Sequence, residues 1–89
     1  MKQLFQTTQF SKDAKQMQKR GKDLEKLKVL VRKLANDEPL DPCHRDHPLA
    51  GEWKHCRDCH VEPDWILIYT KTNEYLRLER TGTHSDLFE

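Results

Sequence analysis

The chain has 89 residues and a net charge of only +1, with 35% of its residues hydrophobic, 35% charged and a mean hydropathy of −0.99. A chain of this size buries only about 60 to 65% of the surface that its unfolded form exposes, so we expect one domain with a thin core. It has no apolar run of the roughly 18 residues that cross a membrane and no secretory signal pattern, which predicts a cytoplasmic protein with no membrane partner.

Charge is divided unevenly along the chain. Residues 1–33 contain ten Lys and Arg residues against three acids, whereas residues 34–89 contain six against twelve. The lysines of the first part outnumber the acids too heavily for pairing along a helix to neutralise them. We therefore predict a cationic face that binds a polyanion such as RNA. The alternative is that these lysines merely solvate their helices.

The first half of the chain predicts a strand, two helices and a loop. Residues 2–8 suit a short strand. Ser11 can cap a first helix that Gly21 ends, and Asp23 begins a second helix with a single buried stripe. That stripe consists of Leu24, Leu27, Leu30, Val31 and Leu34. Residues 36–48 contain three prolines and should form a loop rather than a second domain.

The second half changes to the period of two that is typical of strands. Strands are predicted at residues 53–57, 65–70 and 75–80, with a break at residues 62–64 and a hairpin turn at Thr72 and Asn73. The resulting order is β-α-α-β-β-β. We expect one α+β domain over residues 1–89, with two helices packed on one face of an antiparallel sheet.

Several residues of the last part of the chain suit acid–base chemistry on RNA. Unperturbed imidazole titrates near pH ~6.5, so a histidine can act as base or acid at neutral pH. His84 lies in a turn just after the last strand and is our candidate for the general acid. Asp64 and His60 flank a proline bend, and the sequence does not rank them as the base. Each histidine could instead be an ordinary surface residue.

Three further groups could contact a substrate. Arg80 leaves the last strand toward His84 and could hold a phosphate through paired hydrogen bonds, or it could form a salt bridge with Glu79 or Asp86. Trp65 and Phe88 could stack on bases, or they could belong to the core.

Three segments with these residues resemble the YafQ branch of the RelE/ParE toxin superfamily. They are Asp46-His47-Pro48-Leu49-Ala50-Gly51, His60-Val61-Glu62-Pro63-Asp64-Trp65 and Arg80-Thr81-Gly82-Thr83-His84-Ser85-Asp86-Leu87-Phe88. The resemblance extends over nearly the whole chain. It implies a toxin of a type II toxin–antitoxin system that cleaves mRNA in the ribosomal decoding site, preferring adenine-rich lysine codons, without a metal or other cofactor.

The resemblance also assigns roles to particular residues. It implies that His47, His60, Asp64 and His84 are catalytic. It implies supporting substrate contacts from Trp65, Arg80 and Phe88. It further implies an inhibitory antitoxin protein, for which the basic helical face offers a docking surface. We expect the same face to contact the rRNA of the small ribosomal subunit through Lys12, Lys15, Lys19, Arg20, Lys22 and Lys26.

Three alternatives stay open. A zinc module is suggested by Cys43, His44, His47, His55, Cys56, Cys59 and His60. Its one C-x2-C pair, Cys56 and Cys59, lacks a matching second pair, and on a strand these positions would point to opposite faces. Otherwise the three cysteines should be free thiols. The second alternative is a ParE-type gyrase poison on the same fold, which would not need the His/Asp/Arg set. The third is a non-catalytic RNA-binding module.

Overall fold

The computed structural model describes residues 2–88, which form one five-stranded sheet and three helices. The strands are β1 (Gln3–Gln6), β2 (His47–Pro48), β3 (Arg57–Glu62), β4 (Trp65–Lys71) and β5 (Tyr75–Gly82). The helices are α1 (Thr8–Lys19), α2 (Leu24–Ala35) and α3 (His84–Phe88). Two short 3₁₀ turns, Pro42–His44 and Gly51–Trp53, lie on either side of β2.

The strands are arranged in the order β1-β5-β4-β3-β2. The α+β class is confirmed, but the expectation of a purely antiparallel sheet is wrong, because β1 runs parallel to β5. All other neighbours are antiparallel. The helices α1 and α2 carry the chain across one face of the sheet, from β1 at one edge to β2 at the other.

Alternate side chains of β4 point to opposite faces of the sheet, so the core is divided between the two faces. Trp65, Leu67 and Tyr69 pack with α1 and α2, which confirms that these two helices share one face. Ile66 and Ile68 point to the opposite face, where they pack with Leu87 of α3 and with half-buried residues near β2. Residues of β3 that pair with Ile66 and Ile68 therefore lie on this second face, which has no long helix over it.

The first helix begins earlier than predicted. Thr7 rather than Ser11 is its N-cap, and the Thr7 hydroxyl accepts a hydrogen bond from the Phe10 backbone at 2.9 Å. The Ser11 hydroxyl instead donates to the Thr7 carbonyl within the first turn, at 3.4 Å. The predicted start of the second helix is confirmed, since the Asp23 side chain accepts from the Glu25 backbone at 3.0 Å.

The strand predicted at residues 53–57 is wrong. Gly51 has a φ of +68°, a conformation that favours glycine, and it starts the 3₁₀ turn that Trp53 ends. The Cys56 backbone then donates to the Trp53 carbonyl at 2.7 Å, so β3 starts only at Arg57. The break before Trp65, the two following strands and the hairpin after Thr72 are confirmed.

Candidate functional site

Four of the side chains singled out from the sequence form a row on the second face of the sheet. The ring centroids of His47 and His60 lie 6.5 Å apart, those of His60 and His84 5.5 Å, and those of His84 and Phe88 6.2 Å. His47 starts the edge strand β2, His60 lies in β3, and His84 and Phe88 belong to α3. We call these four side chains the histidine row. Residues from three separate segments thus converge, as an acid–base site requires.

Each imidazole of the row makes its protein contact through Nδ1. His84 Nδ1 lies 2.6 Å from Asp64 Oδ1, His60 Nδ1 lies 3.2 Å from the Pro63 carbonyl, and His47 Nδ1 lies 2.6 Å from the Arg45 carbonyl. These oxygens only accept, so Nδ1 carries the proton and Nε2 remains open in all three rings. Each ring can therefore take a proton at Nε2 when neutral or donate one when charged.

Asp64 holds His84 through two hydrogen bonds. Its Oδ1 accepts from the His84 backbone at 3.0 Å and from the imidazole at 2.6 Å. Both hydrogen bonds lower the pKa of Asp64, and the one from the His84 backbone has the larger effect. The carboxylate therefore stays ionised near neutral pH, where it is a weak base.

Asp58 belongs to the site although the sequence analysis did not select it. It is buried on β3, and its Oδ1 lies 3.0 Å from His47 Nδ1. His47 Nδ1 has a single proton, and it donates that proton in a hydrogen bond to the nearer Arg45 carbonyl. Asp58 Oδ1 is therefore left without a hydrogen-bond partner. Burial raises the pKa of Asp58, against the positive charges of His47 and His60. The i, i+2 spacing from Asp58 to His60 on one strand was the signal that could have revealed it.

Arg80 forms an ion pair, but with neither of the partners considered from the sequence. Its Nε and Nη2 each donate to an Asp13 carboxylate oxygen at 3.0 Å, joining β5 to α1. This hydrogen bonding raises the pKa of Arg80. Asp13 is buried and also accepts from Gln9, at 3.0 Å. The pair of guanidinium N–H groups that was predicted to hold a phosphate thus binds a carboxylate, and Nη1 remains for other contacts.

The two aromatic residues differ in their surroundings. Trp65 is fully buried, and its indole donates to the Thr81 hydroxyl at 2.9 Å. In this arrangement it belongs to the core and is not open to a base, which corrects the stacking role predicted for it. Phe88 is 43% exposed at the end of the row, where a base can reach it.

The short helix α3 is fixed at its start by a reciprocal cap. The Thr83 backbone donates to Asp86 Oδ2 at 2.9 Å, and the Asp86 backbone donates to the Thr83 hydroxyl at 3.2 Å. Arg20 also donates to Asp86, at 2.7 Å, and this contact is the main reason that the pKa of Asp86 is lowered. The cap and the ion pair together position His84 beside His60.

The six basic residues assigned to RNA binding fall into two groups. Arg20 pairs with Asp86, while Lys22 and Lys26 both pair with Glu62. The second group has exposed ammonium groups on α1 and makes no ion pair within residues 2–88. It consists of Lys12, Lys15 and Lys19.

Cys56 and Cys59 do not form the C-x2-C metal site of the zinc alternative. Cys59 is fully buried on the helix-covered face, and burial raises the pKa of its thiol. Cys56 lies near Thr70, with its sulfur 3.5 Å from the hydroxyl oxygen, and packs with the cluster on the second face. The two thiols therefore lie on opposite faces of the sheet, although Cys56 precedes β3. In the described part of the chain, no helix is long and apolar enough to cross a membrane.

Comparisons with known proteins identify the family of the chain. The family model described as bacterial toxin of type II toxin-antitoxin system, YafQ, matches residues 2–89. The mRNA interferase toxin YafQ of Escherichia coli K12 is 59% identical over 81 residues, which cover 90% of this chain and 88% of that protein. The crystal structure of YafQ from E. coli BL21(DE3) matches with a TM-score of 0.94 and 52% identity, and that of the E. coli DinJ-YafQ complex with 0.93 and 53%, each with both chains fully covered.

Proposed function

Because the chain belongs to the YafQ family of type II toxin–antitoxin toxins, we propose that its histidine row cleaves mRNA on the ribosome by metal-independent acid–base transesterification. The protein is an mRNA interferase, an endoribonuclease. The proposal adds the site, the reaction steps and the ribosomal substrate. It places the activity in the cytoplasm, where cleavage of codons in the decoding site inhibits translation.

The observation that carries the proposal is the set of three imidazoles with open Nε2 atoms, arranged in one row. Transesterification needs a base to take the proton of the ribose 2′-hydroxyl and an acid to protonate the departing 5′-oxygen. The 2′-oxygen bonds to phosphorus as the bond to the 5′-oxygen breaks, which leaves a 2′,3′-cyclic phosphate and a 5′-hydroxyl. Two imidazoles of opposite protonation supply both transfers.

The surroundings of each ring favour particular roles. His84 is the general acid, because the Asp64 carboxylate holds its ring through Nδ1 and leaves Nε2 open. Asp64 is a poor base, because its pKa is lowered. His47, whose side chain is 50% exposed, is the base that an mRNA can reach more easily than His60, which is only 8% exposed. His60 lies between them and adds positive charge beside the transition state when it is protonated.

The substrate contacts follow from exposure. Phe88 stacks on a base next to the scissile phosphate, an interaction that contributes about 1 to 3 kcal/mol. Arg80 contributes through its remaining Nη1 and through its charge. Trp65 supports the site from the core.

Lys12, Lys15 and Lys19 are the cations that bind rRNA of the small subunit, since they have no competing ion pair among residues 2–88. The paired Arg20, Lys22 and Lys26 add to the field of the same surface. An antitoxin protein is the partner, as in the DinJ-YafQ complex of E. coli. We propose that it inhibits this toxin in a hetero-oligomer by covering this basic surface with acidic residues.

Primer extension on a translated message tests the cleavage. Purified protein should produce cuts within codons on translating ribosomes, in the presence of EDTA as well as without it. His84→Ala should remove the cuts while ribosome binding and the circular dichroism spectrum stay unchanged. His55→Ala is the matched control, because His55 is exposed and outside the row, and it should cut like the wild type.

Other outcomes would reject specific parts of the proposal. Undiminished cutting by His84→Ala would exclude it as the acid. Ribosome association without any cut would favour the RNA-binding module, and inhibition of DNA gyrase without cut mRNA would favour the gyrase poison.

The salt dependence of ribosome binding tests the basic surface. Replacing Lys12, Lys15 and Lys19 together by glutamine should weaken ribosome binding. The slope of log affinity against log salt should become shallower by the amount that corresponds to the loss of up to about three phosphate contacts. The triple replacement of Lys28, Lys33 and Lys54 removes the same charge elsewhere and should have a smaller effect. Equal slopes for the wild type and the first triple variant would remove α1 from the interface.

A further inference from the structure

A turn beside the histidine row has three potential metal ligands that the proposed cleavage does not use. Ligand atoms of the Asp41, Cys43 and His44 side chains all lie within 4.8 Å of one another, and within residues 2–88 no other set of three such residues does so. Asp41 and Cys43 are exposed and His44 is half-buried. We propose that this turn binds a Zn²⁺ ion.

The backbone of the turn is already in place. Residues Pro42–His44 form a 3₁₀ turn, in which the His44 backbone donates to the Asp41 carbonyl at 3.0 Å and the Arg45 backbone to the Pro42 carbonyl at 3.1 Å. Arg45 ends the turn in the left-handed region, with a φ of 47°. Because the loop is closed before an ion arrives, binding has to order only the side chains.

The hydrogen bond of His44 is a second indication of a ligand. Its Nδ1 lies 2.6 Å from the His60 carbonyl oxygen, which only accepts, so Nδ1 carries the proton and Nε2 presents a lone pair. Histidines that bind metals almost always donate their other ring N–H to a carboxylate, a carbonyl or water in this way. His44 is therefore held as the tautomer whose Nε2 is free to bind a metal.

The donor set selects the metal. A thiolate, an imidazole and a carboxylate suit Zn²⁺, whereas Mg²⁺ and Ca²⁺ prefer oxygen ligands alone. Ligand atoms roughly 2.0 to 2.3 Å from a tetrahedral zinc lie roughly 3.3 to 3.7 Å apart. Rotation of the exposed Asp41 and Cys43 side chains can supply the contraction from at most 4.8 Å, which is up to about 1 Å. On binding, the Cys43 thiol loses its proton to solvent, the sulfur bonds to zinc, and water completes the coordination.

None of the three ligands belongs to the histidine row, so the proposal stands whether or not the row cleaves RNA. The two sites are nevertheless connected, because the His44 ring bonds to the backbone of His60. An ion on the turn would hold that contact in place.

Zinc titration of metal-free, reduced protein tests the site. We expect one zinc per chain by calorimetry and by elemental analysis after dialysis. Cys43→Ser and His44→Gln should each weaken zinc binding by about tenfold or more, and Co²⁺ loaded in place of zinc should show a thiolate charge-transfer band that Cys43→Ser removes. Cys56→Ser and His55→Ala are the matched controls and should bind zinc like the wild type.

Three results would overturn the proposal. One is the absence of zinc binding by the folded wild-type protein. Another is unchanged affinity in both Cys43→Ser and His44→Gln. The third is a loss of zinc in His47→Ala and His84→Ala together with full binding in Cys43→Ser, because the ion would then lie on the histidine row. Circular dichroism of each variant verifies that it is folded. Cys43 is exposed, so its replacement should leave the fold intact.

Discussion

The two histidine–aspartate pairs of the site have the same chemistry but opposite surroundings. The Asp64 side chain, paired with His84, is 66% exposed, whereas Asp58, beside His47, is 4% exposed. Hydrogen bonds from His84 lower the pKa of Asp64, and burial raises the pKa of Asp58. The exposed Asp64 can therefore hold an imidazole at little cost to folding, whereas ionisation of the buried Asp58 costs stability.

The largest difference should be seen in cleavage. Asp64→Asn removes the carboxylate that holds the His84 ring through Nδ1, so we expect cleavage of a translated message to fall by about 100-fold, the low end of a general-acid contribution. Asp58→Asn should reduce it by about tenfold or less, because Asp58 makes no hydrogen bond to the imidazole. Single-turnover rates on stalled ribosomes measure both variants. Equal losses would mean that the buried and exposed carboxylates have the same role.

The order should reverse for stability. His47→Ala removes the hydrogen bond to the Arg45 carbonyl and the imidazole beside the buried Asp58, and it should lower the free energy of unfolding by about 1 kcal/mol. His84→Ala affects only an exposed pair and should change it by less than about 0.5 kcal/mol. Urea unfolding of the two variants at neutral pH compares them directly. A greater loss for His84→Ala would show that the exposed pair is structural.

Asp86 tests what holds the exposed pair in position. Asp86→Ala removes the cap of α3 and the contact with Arg20 and should cost about 1 kcal/mol. Since the pKa of Asp86 is lowered on folding, its contribution is present above the unfolded pKa of about 3.9 and is lost as the pH falls through the folded pKa. The difference from the wild type should therefore shrink below pH ~4. The exposed Ser85→Ala is the control, and a difference that stays constant with pH would argue against the ion pair.

The smallest expected effect is an increase in stability when the buried carboxyl group of Asp58 is replaced. The pKa of Asp58 is raised on folding, so its ionisation costs stability, and this cost appears as the pH rises above the unfolded pKa of about 3.9. Asp58→Asn should be more stable than the wild type at pH 7 by about 1 kcal/mol, the low end of the penalty for an unpaired buried group. The advantage should vanish near pH 4. Thermal unfolding between these pH values measures it, and a variant less stable at pH 7 than at pH 4, relative to the wild type, would contradict the assignment.

Patterns among residues close together in the sequence predicted those elements of the fold that depend only on such neighbours. The Asp23 cap, the leucine stripe of α2 and the apolar run of β4 each depend on neighbours in sequence, and all three were confirmed. The parallel pairing of β1 with β5 was not predicted, because it joins residues about seventy positions apart. The helix α3 was missed because its five residues are too few to show a period.

The site was predictable in its members but not in its contacts. The resemblance named His47, His60, Asp64 and His84, and the structure brings them together; their roles stay predictions. Burial could not be read from residue type alone, so Trp65 was assigned to the substrate and Asp58 was missed. The Asp13 partner of Arg80 depends on how α1 packs against β5, which no local spacing reports.

The pairing of β1 with β5 has a consequence for the synthesis of the toxin itself. A nascent chain has no neighbour for its first strand until Tyr75 and the residues after it have left the exit tunnel, and His84 emerges later still. The sheet and the histidine row can therefore be completed only after β5 and α3 have emerged from the ribosome.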